Sequence, residues 1–379
     1  MKISKGKRLI FLVLAVAVVC SMVFATCACQ NNGPVPMAFD AKSKYGIYWI
    51  GEDGGDYVRS SKDMDVKYFD PSKPTFVFAH GWEPDKANST DGLFEDFVTH
   101  KETVSKTGTD DIRDYAAQLK EKGYNVALLS WFSYARDLSR LFKSIWISFE
   151  DGYALSTRFA MELAIVLGED YKSDVKMVGH SYGSQMALAT TYQLIEFQKR
   201  GMIVNDNIIP TRLTLADPYF GDKALIAGWD NLAKKSISLI GEKLKARTPA
   251  KLFADVLESV VDKKDVAADM YFGMSMASAM YYKYDGSDAN FEKLSANCAI
   301  VNCKGLRDKY GDTNIHNVVR DWTLLSIVDD VTFADAPSGA ASDVQIKAMR
   351  GKCYNQTYKG FDLAQDNVVL ADRMTGEFL

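Results

Sequence analysis

Histidine is scarce in this chain, with four among 379 residues, and cysteine is nearly so, with six. Neither residue falls in the paired spacing of a zinc site, so no metal is expected. The formal charge is −4 and no long run of lysine and arginine breaks it, which excludes the basic face that a nucleic-acid partner requires. Internal repeats and low-complexity tracts are absent too, which removes solenoid and fibrous arrangements. What remains is a chain long enough for one large α/β domain or two ordinary ones, and composition does not decide between them.

The N-terminus stands apart from the rest. Lys2, Lys5, Lys7 and Arg8 precede an apolar run from Leu9 to Val19 that continues to Ala25, the pattern of a secretory signal peptide. Cys27 and Cys29 follow at once, and Thr26-Cys27-Ala28-Cys29 loosely resembles a bacterial lipobox, in which a cysteine after a small residue is lipidated. Three outcomes stay open: lipidation at Cys29 or Cys27, cleavage after Ala25, or an uncleaved anchor. Each places the body outside the cytoplasm, lipid-anchored at the surface or secreted, with the membrane surface as a partner in the anchored form. Residues 1–29 are thus read as leader, 30–44 as tether and 45–379 as the folded domain. Disulfides are permitted there. Of Cys298, Cys303 and Cys353, the first two would close a short loop and Cys353 is left over, although sequence does not fix the pairing.

Within the body, Tyr45 to Ile50 and Tyr57 to Tyr68 have the β-rich, charge-interrupted pattern of an antiparallel hairpin. Short apolar runs then recur at Thr75 to Ala79, Tyr124 to Trp131, Val175 to Val178 and Arg212 to Ala216, the mark of strands buried on both faces of a parallel sheet. Helical periods lie between them: Ile112, Tyr115, Ala116 and Leu119, with Thr109 and Asp110 as available caps, and Leu155, Phe159 and Leu163, closed by Gly168. This order is a doubly wound, mostly parallel α/β core. From about Lys223 to Asn297 the pattern turns helical without strands and is expected to be an insertion on that core. Its Met270, Phe272, Met274, Met276 and Met280 suit irregular acyl chains and equally suit a buried helix core.

Val178-Gly179-His180-Ser181-Tyr182-Gly183 joins an apolar strand to an amphipathic helix through Gly-x-Ser-x-Gly. A serine at such a strand-to-helix turn sits in a strained conformation, and glycines two residues to either side let the chain pass. A serine hydroxyl needs a histidine to take its proton, and the histidine needs a carboxylate to fix its tautomer. His316 is the only histidine downstream of the elbow; His180 is the elbow's own x residue, His80 sits in a strand-end turn and His100 lies early. Asp217 follows the strand Arg212 to Ala216 and precedes Pro218, at the sheet edge where Ser181 emerges; Asp222 and Asp230 are the nearest alternatives. The oxyanion needs two amides, assigned to Tyr182, directly after the nucleophile, and Trp82, after the strand that ends Ala79-His80-Gly81.

Taken in order, these motifs resemble the pancreatic-type lipases: Thr75 to Trp82 their His-Gly-aromatic oxyanion segment, Val178 to Gly183 their Gly-His-Ser-x-Gly elbow, Leu213 to Pro218 their strand into Leu-Asp-Pro, here Leu-Ala-Asp-Pro. His316, with a helix following through Trp322 to Leu325, is similar to their histidine in position. The resemblance covers roughly Thr75 to Val328. It implies an α/β-hydrolase fold and a serine ester hydrolase, lipase or carboxylesterase (EC 3.1.1.-), acting on a lipid or ester without any cofactor, while the helical pattern at about 223–297 is expected to form a cap over Ser181. The chain departs from the family in its longer interval between acid and histidine and in lacking a counterpart of the C-terminal lipid-binding sandwich. A phospholipase or other acyl hydrolase would use the same machinery, and a surface lipoprotein that keeps the fold as a binding module is the alternative of another class.

Overall fold

The computed structural model describes residues 45–51, 57–60, 68–82, 114–131, 138–147, 153–220, 248–273, 288–303, 315–328, 341–357 and 367–370. The leader and tether, with Cys27 and Cys29, lie outside them, as do Asp222, Asp230, Met274, Met276 and Met280.

Among the described residues ten strands form one sheet: β1 (Gly46–Ile50), β2 (Tyr57–Arg59), β3 (Thr75–Ala79), β4 (Asn125–Ser130), β5 (Val175–His180), β6 (Arg212–Ala216), β7 (Ala267–Phe272), β8 (Ala299–Asn302), β9 (Cys353–Thr357) and β10 (Asn367–Leu370). Their spatial order is β10-β9-β8-β7-β6-β5-β3-β4-β1-β2. Strands β3 to β9 run parallel, and β1, β2 and β10 pair antiparallel at the two margins. β3 has β4 on one side and β5 on the other, so the winding reverses there. At such a reversal the loops leaving the carboxyl ends of adjacent strands part and open a crevice.

Helices cover both faces: α1 (Tyr115–Glu121), α2 (Leu138–Trp146), α3 (Leu155–Leu167), α4 (Tyr182–Lys199), α5 (Pro249–Lys264), α6 (Asp288–Asn297) and α7 (Ile315–Val328), with a short α8 (Asp343–Ala348). The two-residue alternation of each strand divides its side chains between two cores. Val77, Ala79, Met177, Leu213, Leu215, Met270 and Phe272 pack with α3, α4 and α5, whereas Phe76, Phe78, Val178, Tyr271 and Val301 pack with α1 and α7. Asp114 caps α1, accepting the amide of Ala117 at 3.0 Å; Thr109 and Asp110, the expected caps, lie outside the described residues. Gly168 closes α3 with φ of 70°, as its sequence position suggested.

The interval from 223 to 297 is not a strandless helical insertion. Its described part supplies α5, the interior parallel strand β7 and α6, which belong to the central sheet and its covering layer. Met270 and Phe272 accordingly are core residues, 0% and 1% exposed; Phe272 packs on Phe220, which in turn meets Phe253 of α5 edge-on. The sequence disguises β7 as helical because Asp269 stands at its middle. That carboxylate is admissible because Arg212, Thr214 and Tyr271 all donate to it, Arg212 Nη2 at 2.7 Å.

Cys298 and Cys303 are buried and not bridged to each other, so the expected disulfide is absent. The reason is the strand between them: β8 is extended, so five residue steps separate the cysteines by roughly 16 Å, far beyond the ~7 Å limit of a bridge. Burial and then the charge of Asp217 push the Cys303 thiol well above its ordinary range, so it stays protonated and unreactive.

Candidate active site

Ser181 follows the last residue of β5 with φ 56° and ψ −124°, a conformation a non-glycine residue holds only when its surroundings over-determine it. The surroundings here are main-chain hydrogen bonds. Its N–H donates to Ala216 O at 3.0 Å, while its carbonyl accepts from Ser184 N at 3.1 Å and Tyr219 N at 3.2 Å. The elbow is thereby tied on both sides to the loop after β6. A Cβ on Gly183 would lie 1.9 Å from Ala79 O, so only glycine lets α4 start this close to β3, and Gly179 meets Gly183 in the same crossing. Gln185 strengthens the junction by accepting from Trp146 Nε1 at 2.6 Å and donating to Tyr219 O at 2.7 Å.

The turn after β3 reaches the serine from the other side of the crevice. A Cβ on Gly81 would stand 2.8 Å from Ser181 Cβ and 3.3 Å from its Oγ. His80 shapes this turn from beneath: fully buried, it places Nδ1 2.9 Å from Gly81 O, accepts Trp131 N–H on Nε2 at 3.0 Å, and its own carbonyl accepts Trp131 Nε1–H at 3.0 Å. Because Nε2 accepts, the hydrogen resides on Nδ1, which donates to Gly81. Trp82 comes next, with 43% of its surface exposed. Tyr182 opens α4, where helix-end amides have no partner within the helix. The Tyr182 phenol is buried against the Tyr219 ring, 4.7 Å between centroids, and burial raises it well above its ordinary range, so it has no role as a base.

Asp217 stands one residue beyond β6 with φ 42°, entirely buried. Its amide donates to Tyr271 O at 2.7 Å, its Oδ1 accepts Gly273 N–H at 2.9 Å, and its Oδ2 lies 2.5 Å from His316 Nδ1. Sequence reasoning placed acid and histidine in one site, and the geometry brings them together. It missed Gly273. A Cβ there would collide with Val319 and Ile315 of α7, at 2.7 and 2.9 Å, so glycine admits the helix that carries His316.

The part played by His180, the elbow's own x residue, was missed as well. The residue is buried, its Nε2 lies 3.0 Å from His316 O, and the two imidazoles pack with centroids 4.4 Å apart. Since His180 is joined to Ser181 by a peptide bond, this contact holds the His316 ring beside the elbow. No sequence signal marks it, because its partner is a main-chain carbonyl 136 residues away. Among the described residues no group of three acidic, histidine or cysteine side chains is placed to hold a metal ion.

No family model and no curated protein matches the sequence. Among solved structures the chain is similar to Est1E from Butyrivibrio proteoclasticus, with 15% identity, 74% of this chain and 99% of that one covered, and a TM-score of 0.32. It is also similar to an inhibited esterase B from Lactobacillus rhamnosis (12% identity, 75% and 82% covered, TM-score 0.28) and to a bacterial membrane phospholipase A (14%, 83% and 87%, TM-score 0.24). The strand order, the reversal at β3 and the positive-φ serine leaving β5 are themselves those of the α/β-hydrolase fold.

Proposed function

We propose that this protein is a serine ester hydrolase working through an acyl-enzyme, with Ser181 as nucleophile, His316 as base and Asp217 as the acid that orients it. The observation that carries the reading is the pairing of His316 Nδ1 with the buried Asp217 carboxylate at 2.5 Å beside a serine held at positive φ. A carboxylate on Nδ1 leaves Nε2 of the neutral ring without a hydrogen, ready to accept one. Ser181 Oγ adds to the ester carbonyl as its proton passes to His316 Nε2. The oxyanion is met by the Trp82 and Tyr182 amides, and the proton returns to the departing alcohol. Water then repeats the sequence on the acyl-enzyme, releasing the acid. Every proton and electron pair is accounted for by these groups, so the reaction calls for no cofactor.

The finer reading is a lipase exported from the cytoplasm and held at the membrane surface by lipid on Cys27 or Cys29. It rests on the order of motifs from Thr75 to His316 and on the basic and apolar leader. Mass spectrometry of the native N-terminus tests the anchor: a lipidated cysteine supports it, and a chain beginning at Thr26 with a free α-amine replaces it by secretion. Substrate class is tested with p-nitrophenyl butyrate against an emulsified long-chain triglyceride. Higher activity on the emulsion supports a lipase, hydrolysis of the butyrate alone leaves an esterase, and no hydrolysis of any ester while the protein is folded would sink the enzymatic reading.

A further inference from the structure

His180 takes no part in the chemistry above, yet its ring lies against that of the base. A carbonyl oxygen only accepts, so the 3.0 Å contact to His316 O places a hydrogen on His180 Nε2. His180 is the final residue of β5, buried to 6% exposure, and in register with Ala216, the residue before Asp217. One side chain therefore leaves a rigid interior strand between nucleophile and acid and grips the main chain of the third member.

The geometry points to a need for such a grip. The Asp217 bond fixes His316 at one atom, Nδ1, about which the ring can still swing. His316 itself sits in the first turn of α7, and helix ends are the part of a helix most prone to local opening. We propose that His180 is a positioning residue for His316: its Nε2–H clamps the His316 carbonyl to the end of β5, and its ring confines the His316 imidazole, so that Nε2 of the base meets Ser181 Oγ. The second lone pair of the His316 carbonyl makes this bond compatible with the helix. A neutral ring is enough to donate this bond, so the clamp requires no second positive charge beside the imidazolium that forms during acylation. The proposal rests on the Ser181, His316 and Asp217 assignment.

Two variants of the full chain separate the clamp from mere packing. His180→Gln keeps an amide N–H at a similar reach, and His180→Leu fills the volume without a donor. Measured are kcat and KM on p-nitrophenyl butyrate, the rate of Ser181 labelling by a fluorophosphonate, and Tm. The expected result for His180→Leu is a fall of roughly 10- to 100-fold in kcat and in labelling rate, with KM changed by less than about twofold, as for a misplaced catalytic group. His180→Gln should recover most of that loss. Parent-like kcat in His180→Leu overturns the proposal, as does a fall in His180→Gln equal to that in His180→Leu, or a loss that follows the folded fraction through Tm. His316→Ala serves as the parallel arm. If it is inactive while His180→Leu behaves as the parent, the clamp alone is wrong; if it retains parent activity, the site assignment fails and the clamp with it.

Discussion

Asp217 and Asp269 are both fully buried carboxylates, one just beyond β6 and the other inside neighbouring β7, and their surroundings differ in kind. Asp269 is enclosed by Arg212, Thr214 and Tyr271. Its cationic partner never gives up its charge at ordinary pH, and burial followed by the Asp269 charge holds the Tyr271 phenol well above its ordinary range, a permanent donor. Arg212 also donates to Ala341 O, so the pair ties the segment before α8 to the sheet. Asp217 instead faces an imidazole, a group that gains and loses a proton, whose side chain is 27% exposed, and it holds a positive φ that Asp269 does not. A saturated buried carboxylate braces the fold. A buried carboxylate paired with a titratable, accessible ring is what the proposed proton relay requires.

The largest effects should break the comparison on the Asp217 side. Ser181→Ala and His316→Ala should each lower ester hydrolysis by up to ~10⁶-fold, and Asp217→Asn by a smaller factor of about 10⁴, with Tm near that of the parent. On the other side, Asp269→Asn should leave activity per folded molecule near the parent's while costing about 3–5 kcal/mol in denaturant unfolding, because it strands the buried Arg212 charge. Loss of catalysis at full stability in Asp269→Asn would erase the distinction between the two carboxylates.

A third buried carboxylate sharpens it. Glu162 of α3 accepts Ile47 N–H at 2.9 Å, and burial pushes its carboxyl up to about 7 from 4.5, with Arg59 only partly offsetting the shift. A folded value above the unfolded one means that stability from this group is fully present below pH 4.5 and is lost as pH rises through about 7. At ~1.4 kcal/mol per pH unit the loss amounts to about 3 kcal/mol. Glu162→Gln should flatten that part of the profile in urea titrations, whereas an unchanged slope would show that the group is ionised throughout. The smallest expected effect lies at the oxyanion turn. Gly81→Ala should cost about a hundredfold in kcat, since the new methyl would crowd Ser181 Cβ at 2.8 Å and the His180 carbonyl at 3.2 Å and so shift the elbow; an unaltered kcat would remove Gly81 from the site.

These contrasts also explain what the sequence made legible. β3, β5 and β6 announce themselves as short apolar runs, and the elbow, Asp217 and His316 follow from motif, chain order and the scarcity of histidine. β7 stayed hidden because its central Asp269 finds its charged partner in Arg212, 57 residues earlier, so a core strand read as part of a helical cap, with Met270 and Phe272 suiting either acyl chains or a buried helix core. The unbridged cysteines have the same origin, since β8 could not be seen between them. His180 and Gly273 act through main-chain atoms, His316 O and the Asp217-bound amide, and a one-dimensional pattern carries no trace of such contacts.

The central claim is that Ser181 is an activated nucleophile, and covalent labelling tests it most directly. The full chain is treated with a fluorophosphonate and the adduct mapped by peptide mass spectrometry. The account predicts one adduct, on Ser181, absent in Ser181→Ala and formed far more slowly in His316→Ala and Asp217→Asn. Labelling that persists in Ser181→Ala, or proceeds at the parent rate in His316→Ala, would contradict it.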